Sequence, residues 1–249
     1  MEKLKIKIAT LGYIPFKIGF SKIIKWKSSI FEVDKSIDEY KIKLDSDTEF
    51  WGYSDKTIEK ELPTNSGFDF LIAITNVPLE DKYYARRFSG NRICITFADV
   101  LEYMRYETIK LENYILRNIY RYSLVYLMYG NRIPVQYEKT NFTHDDTRKC
   151  LFDMNGNKTE LIYSLDKPKI CIECKHKLSG QIDQKVPDKI INTVEKEIKR
   201  IKKNRFQKIN EFVKTNPVLS LFLTFLAGIV MSLIGTWLYE LLRILICEK

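Results

Sequence analysis

Charged and apolar residues alternate over Lys3–Ala9, a period of two that predicts an opening β-strand. Phe16–Val33 is mixed, with a second strand expected at Ile30–Val33. Asp34–Asn65 is polar and charged and reads as loop, with a short helix around Asp55–Glu61. Phe68–Thr75 (FDFLIAIT) and Arg92–Phe97 (RICITF) are near-continuous apolar runs, the pattern of strands buried on both faces. Asp99 is positioned to cap a helix from Val100. A longer helical pattern covers Glu107–Tyr129, with Ile109, Ile115, Leu116, Ile119, Leu124 and Leu127 as its core face and Gly130 as its stop. Strands followed by a long helix predict an α/β or α+β soluble domain over residues 1–140.

The tail has a different pattern. No charged residue lies between Val218 and Tyr239, about 22 residues, which as a helix span roughly 33 Å and match the hydrocarbon thickness of a bilayer. Trp237 and Tyr239 stand at one end, where aromatic rings favour the interface. The small residues Ala227, Gly228, Ser232 and Gly235 would allow close helix packing, so a homo-oligomer through this helix or the preceding stalk is one expected partner. The net charge is +9, and +5 of it falls between Glu195 and Asn216. Lys199, Arg200, Lys202, Lys203, Arg205 and Lys208 form the membrane-surface basic set. Their position beside the apolar tail points to membrane lipids as partners and argues against nucleic acid, whose readers carry their charge on the folded domain. The excess of Lys and Arg on the N-terminal flank orients the chain with its N-terminal domain in the cytoplasm, single-pass. The apolar positions Ile191, Val194, Ile198, Ile201, Phe206, Ile209 and Val213 recur at near-helical spacing. They fit a surface-lying linker helix or a helix packed on its own domain.

The cysteines are Cys94, Cys150, Cys171, Cys174 and Cys247. Met1–Gly12 reads as a charged strand rather than a signal peptide, so a reducing location is expected and a disulfide framework is not. The Cys171–Cys174 pair has the Cys-x2-Cys spacing at which one turn directs two thiolates at a metal. His144 and Cys150 supply a second pair, giving a set of three cysteines and one histidine for structural zinc. A redox role for the pair is disfavoured by the lack of an evident helix start after Cys171. Asn155, Gly156, Asn157 and Pro168 mark the intervening segment as a short hairpin. The zinc-binding subdomain is placed at 141–178, the linker and basic juxtamembrane helix at 179–216 (Ser179–Pro187 being the linker proper), and the transmembrane helix with a short tail at 217–249.

His144, Cys150, Cys171 and Cys174, with the run FLIAITNVPLEDKYYARR ahead of RICITF, resemble the metal region and strand pair of the archaemetzincin-like zinc proteases over Phe68–Leu178. The whole arrangement also resembles uncharacterised bacterial membrane-tethered proteins with a THDDTR…CLFD segment before Cys-x2-Cys. The resemblance implies a zincin-like domain with His144 at the family's third-histidine position. Asp145 stands where the family has a cysteine, and HExxHxxGxxH is absent. Only His144 and His176 are present, so three metal-binding histidines are excluded.

The remaining constellations have two readings each. Asp145, Asp146 and Asp153 could hold a cation or could cap turns and pair with Arg148 or Lys149. Glu80, Asp81, Arg86 and Arg87 follow a buried strand and read either as a site at the strand's end or as a solvated charged loop. Cys94 reads as inert core. Tyrosines at 103, 106, 114, 120, 122, 126 and 129 with Arg105, Arg117 and Arg121 fit either a ligand pocket, centred on Arg117, Arg121 and Tyr122, or ordinary core. The expectation is a membrane-tethered sensing, binding or effector module stabilised by structural zinc, acting on an unidentified ligand or protein partner. The alternative is a divergent membrane-bound, metal-dependent, peptidase-like hydrolase.

Overall fold

The structure, a computed structural model, describes residues 2–180, 185–203 and 205–247. They form two compact units, Met1–Lys202 and Lys203–Lys249.

The first unit is built on a mixed sheet. Its strands are β1 (Leu4–Leu11), β2 (Phe31–Val33), β3 (Asp38–Tyr40), β4 (Phe70–Thr75), β5 (Ala85–Phe88) and β6 (Arg92–Thr96). The order is β2-β1-β4-β6-β5, and β3 also pairs with β1, beyond β2. All pairs are parallel except β5–β6, which is antiparallel. The apolar runs owe their continuity to burial on both faces. Phe70, Ile72 and Ile74 of β4 join the larger core, as do Ile6 and Ile8 of β1 and Ile93 and Ile95 of β6. The alternate residues Leu71, Ala73 and Cys94 pack on the other face with Ile58 and Leu62.

Among the described residues, six α-helices accompany the sheet: α1 (Phe20–Ile24), α2 (Asp55–Glu61), α3 (Val100–Tyr106), α4 (Leu111–Met128), α5 (Ile172–Gly180) and α6 (Asp188–Ile198). The helix expected from Glu107 starts later. Thr108 is left-handed at φ 52° and Ile109 N–H closes a turn onto Met104 O, so α3 ends and α4 begins afresh at Leu111. Asp99 precedes α3 but makes no side-chain cap. Gly130 does end α4: it is left-handed at φ 68°, and Asn131 N–H returns to Tyr126 O in a Schellman-type turn. Most faces of α4 are buried, enclosed by the sheet and by the 3-10 segment Lys158–Leu165.

Two expected boundaries change. Residues 141–178 share the core of residues 1–140 rather than forming a separate body, since Phe142, Cys150, Phe152, Leu161 and Leu165 join the same cluster as the sheet. The expected 179–216 stalk is divided. Val186, Ile191, Val194, Ile198 and Ile201 are buried in the first unit, so the apolar stripe of α6 covers its own domain. The linker at Ser179–Pro187 is partly α5, and residues 181–184 lie outside the described residues.

The second unit contains α7 (Arg205–Thr215) and α8 (Pro217–Cys247). Pro217–Glu240 is long and apolar enough to cross a membrane, with a mean hydropathy of 2.4, and none of it is buried.

Candidate metal centre

Four side chains from three short stretches converge beside the C-terminal half of α4. His144, Cys150, Cys171 and Cys174 are all buried, and their ligand atoms lie within 4.8 Å of one another. The chain between them is not the expected hairpin. Isolated bridges join His144 to Asp153 and Cys150 to Lys169, and Lys158–Leu165 is a 3-10 helix. Lys149, left-handed at φ 62°, turns the backbone immediately before Cys150. Cys171 and Cys174 sit at the start of α5, three residues apart and on one face. A helix therefore does follow Cys171, contrary to the sequence reading, and its N-terminus favours thiolate there.

The donor set fits zinc in three respects. Three cysteines and one histidine make a closed structural set, and ~2.3 Å Zn–S bonds at tetrahedral angles need thiolates roughly 3.8 Å apart. His144 Nδ1 lies 2.9 Å from Asp146 O; as the N–H it donates there, turning Nε2 toward the thiolates, 3.5 Å from Cys171 Sγ. The sulfurs are also supported as anions. Cys150 Sγ accepts from Phe152 N–H (3.5 Å) and Cys171 N–H (3.4 Å), and Arg148 Nη1 lies 3.9 Å from Cys171 Sγ. A hydrogen bond from Cys174, with these two amides, outweighs burial and holds the Cys150 thiol well below the ordinary value. Cys174 is pushed far up, first by that same hydrogen bond and then by burial. A dication bound here would supply the charge that stabilises the thiolates together.

Asp153 caps a turn and Asp146 pairs with Arg148, while Asp145 is exposed. Asp153, fully buried, accepts Arg148 N–H (3.2 Å) and Cys150 N–H (2.8 Å), with Oδ1 3.5 Å from His144 Nε2. Arg148 pairs with Asp146 (2.6 Å) and Glu173 (2.8 Å). Cys94 lies on the opposite sheet face, its thiol raised by burial, and outside the cluster. His176 is exposed on α5.

The Tyr/Arg set on α4 is core, not an open pocket. Arg117, Arg121 and Tyr122 are 0%, 5% and 3% exposed, because α4 is covered on the side that carries them. Arg117 donates to Ser164 Oγ (3.0 Å) and Tyr84 Oη (3.3 Å), and Arg121 donates to Tyr84 Oη and Asp153 O (3.2 Å). Burial raises the Tyr84 phenol, but the Arg121 and Arg117 charges outweigh it and bring it down to about 8. Tyr84 and the link through Asp153 to the metal-binding loop had no spacing signal in the sequence. Of the charged loop expected after β4, Asp81 is exposed as expected, whereas the two arginines belong to β5 and are internal. Arg86 is buried against Asp55 (3.1 Å) and reaches Asp81 (2.9 Å), while buried Arg87 donates to Pro134 O (3.0 Å).

The basic set is distributed over both units. Arg200 stacks on Trp26 at 4.7 Å and donates to Lys27 O, so it is committed to the first unit, as Lys199 and Lys202 are by chain position. Lys203 pairs with Glu211 at 3.3 Å in the second unit, where Lys208 is exposed on α7.

No family model matches the chain, and no curated protein matches it in sequence. Among solved structures it is similar to archaemetzincin from Methanopyrus kandleri, at 13% identity and a TM-score of 0.45, over 69% of this chain and 91% of that one.

Proposed function

We propose that the first unit is a binding module locked by one structural zinc and tethered to a membrane by α8, the metal having no catalytic role. The observation that carries this reading is the closed ligand set. His144, Cys150, Cys171 and Cys174 offer four donors from buried positions, enough to complete a tetrahedral site, and a hydrolytic zinc needs one position open to water. Among the described residues no other group of three or more His, Cys, Asp or Glu side chains comes together at metal-binding distance. Support for the tether is the unburied apolar span Pro217–Glu240 and the basic residues that precede it. The orientation that fits the positive-inside rule leaves the zinc-bearing unit in the cytoplasm, where thiolates stay reduced.

Elemental analysis of the purified full-length protein tests the reading. The expected result is one tightly held zinc per chain and no exchangeable second metal. The cobalt-substituted protein should give the spectrum of a tetrahedral site with three sulfur ligands and one nitrogen. A second, exchangeable metal whose addition brings peptide hydrolysis would overturn the reading in favour of the hydrolase.

A further inference from the structure

The first helix of the second unit, α7, has an exposed apolar face. On α7, Phe206, Ile209 and Val213 fall at i, i+3 and i+7, and Phe212 flanks them. In chain order, Phe206, Ile209, Phe212 and Val213 are 73%, 61%, 40% and 45% exposed. Four large apolar side chains at such exposure on one eleven-residue helix exceed the scattered apolar residues of an ordinary surface. The same helix carries Arg205, Lys208 and Lys214 against the single carboxylate Glu211, which is engaged by Lys203. An apolar face with a cationic complement is the composition of a helix that lies in a membrane interface.

The connection to α8 strengthens this. Thr215 ends α7 and Pro217 begins α8, leaving Asn216 alone between them. Pro217 has no N–H to continue the ladder, and the residue before a proline is biased away from helical backbone. A direction change is therefore written into the sequence at the first residue of the apolar span. If Pro217–Glu240 crosses the bilayer, the C-terminus of α7 is held within one residue of the headgroups.

We infer that α7 lies in the headgroup layer of an anionic leaflet, with Phe206, Ile209, Phe212 and Val213 in the acyl boundary and its lysine side chains among the lipid phosphates. This rests on the reading of α8 as a membrane span. The occupant is lipid rather than a second copy of the chain for two reasons. The helix is too short for the several heptads that a stable coiled coil needs, and its flanking charge is largely of one sign, which repels a like helix and attracts phosphate.

The test uses the full chain reconstituted in vesicles, with a photoreactive diazirine residue placed singly at position 206, 209, 211 or 226. Lipid adducts at 226 report that α8 is inserted. Lipid adducts at 206 and 209 but few at 211, on the opposite face of α7, are expected. Their yield should fall when phosphatidylserine is replaced by phosphatidylcholine, by roughly fivefold for each basic side chain that reaches the headgroups. Adducts at 226 with only water or protein products at 206 and 209 would overturn the interfacial assignment, and protein–protein adducts there would identify a second copy as the occupant. Equal lipid yields in both compositions would overturn the anionic leaflet. An absence of lipid adducts at 226 would instead remove the membrane reading itself.

Discussion

Tyr120 of α4 donates a 2.7 Å hydrogen bond to Glu197 of α6, joining residues 77 positions apart. The same carboxylate accepts Ser28 Oγ at 2.6 Å and Ser29 N–H at 2.7 Å, and Tyr120 Oη accepts Trp26 Nε1–H at 2.8 Å. Glu197 thereby fastens the last helix of the first unit to the loop between α1 and β2 and to the central helix. Glu197→Ala leaves three donors short of a buried acceptor and should cost about 2–4 kcal/mol, read by denaturant unfolding of the full-length protein in detergent. Glu197→Gln, which keeps one carbonyl acceptor, should cost less. Equal stability of Glu197→Ala and the parent would show the fastening to be unimportant.

The acid dependence follows from the same group. Burial raises the Glu197 pKa, but the hydrogen bonds from Ser28, Tyr120 and Ser29 outweigh it and leave it below the ordinary value. A depressed carboxylate contributes stability above its unfolded pKa, near 4.3, and loses that contribution as pH falls through the folded value. Stability of the parent should therefore fall more steeply with acidification than that of Glu197→Gln. Parallel curves below neutral pH would contradict this.

Tyr84 gives a prediction at the alkaline end. Its phenol, brought down to about 8 against roughly 10 in an unfolded chain, favours the folded state more as pH rises. The contribution is complete above about pH 10 and lost as pH falls through about 8. The stability difference between the parent and Tyr84→Phe should widen from pH 8 to 10, alongside a tyrosinate absorbance band titrating in that window. A band appearing only above pH 10 would exclude two arginine charges acting on this phenol.

Metal release should separate the cysteines. Cys171→Ser removes a ligand from a closed set and should lower both zinc content and melting temperature, since binding free energy at a structural site is folding free energy. Cys94→Ser alters a buried thiol on the other sheet face and should leave zinc stoichiometry unchanged. Unchanged metal and melting in Cys171→Ser would remove the zinc assignment.

The Asp55–Arg86 pair is buried on both sides, with side chains 5% and 4% exposed. Burial raises Asp55 to about 6 despite the Arg86 charge. Asp55→Ala removes the buried carboxylate facing Arg86 Nε and leaves only Asp81 and the Glu80 carbonyl at Nη2, so it should destabilise by about 1–3 kcal/mol, whereas a double replacement by apolar residues of similar volume should recover most of that. Failure of the double variant to recover would place the cost in packing instead of charge.

The sequence made some of this visible and hid the rest for identifiable reasons. β4 and β6 were legible because both faces are covered and no charged position interrupts Phe70–Thr75 or Ile93–Thr96. The four metal ligands were legible because Cys-x2-Cys is local and few other cysteines or histidines compete. β5 was not: Ala85–Phe88 carries two arginines whose charges are answered by Asp55, Asp81 and a backbone carbonyl far from any local pattern. The start of α5 was missed because its cap is a metal-binding turn rather than Ser, Thr, Asp or Asn. The amphipathic stripe of 191–213 continues without a visible break, yet its first half buries in the domain and its second half stays exposed. Only the long-range contacts of Glu197, Ile198 and Ile201 distinguish them.

The placement of α6 also has a mechanical meaning. Tension arriving along the chain from Lys203 enters the first unit at Ile201, whose carbonyl accepts Lys167 N–H at 2.6 Å, and then at Glu197. Part of that load passes directly to the loop at Ser28 and to α4. The remainder reaches the Lys167–Lys169 segment, whose backbone is stitched to Lys149 and Leu151 on either side of Cys150. A pull along the chain from the second unit would thus be delivered to the metal-binding loop through hydrogen bonds, and a zinc ion held there would cross-link that loop against yielding.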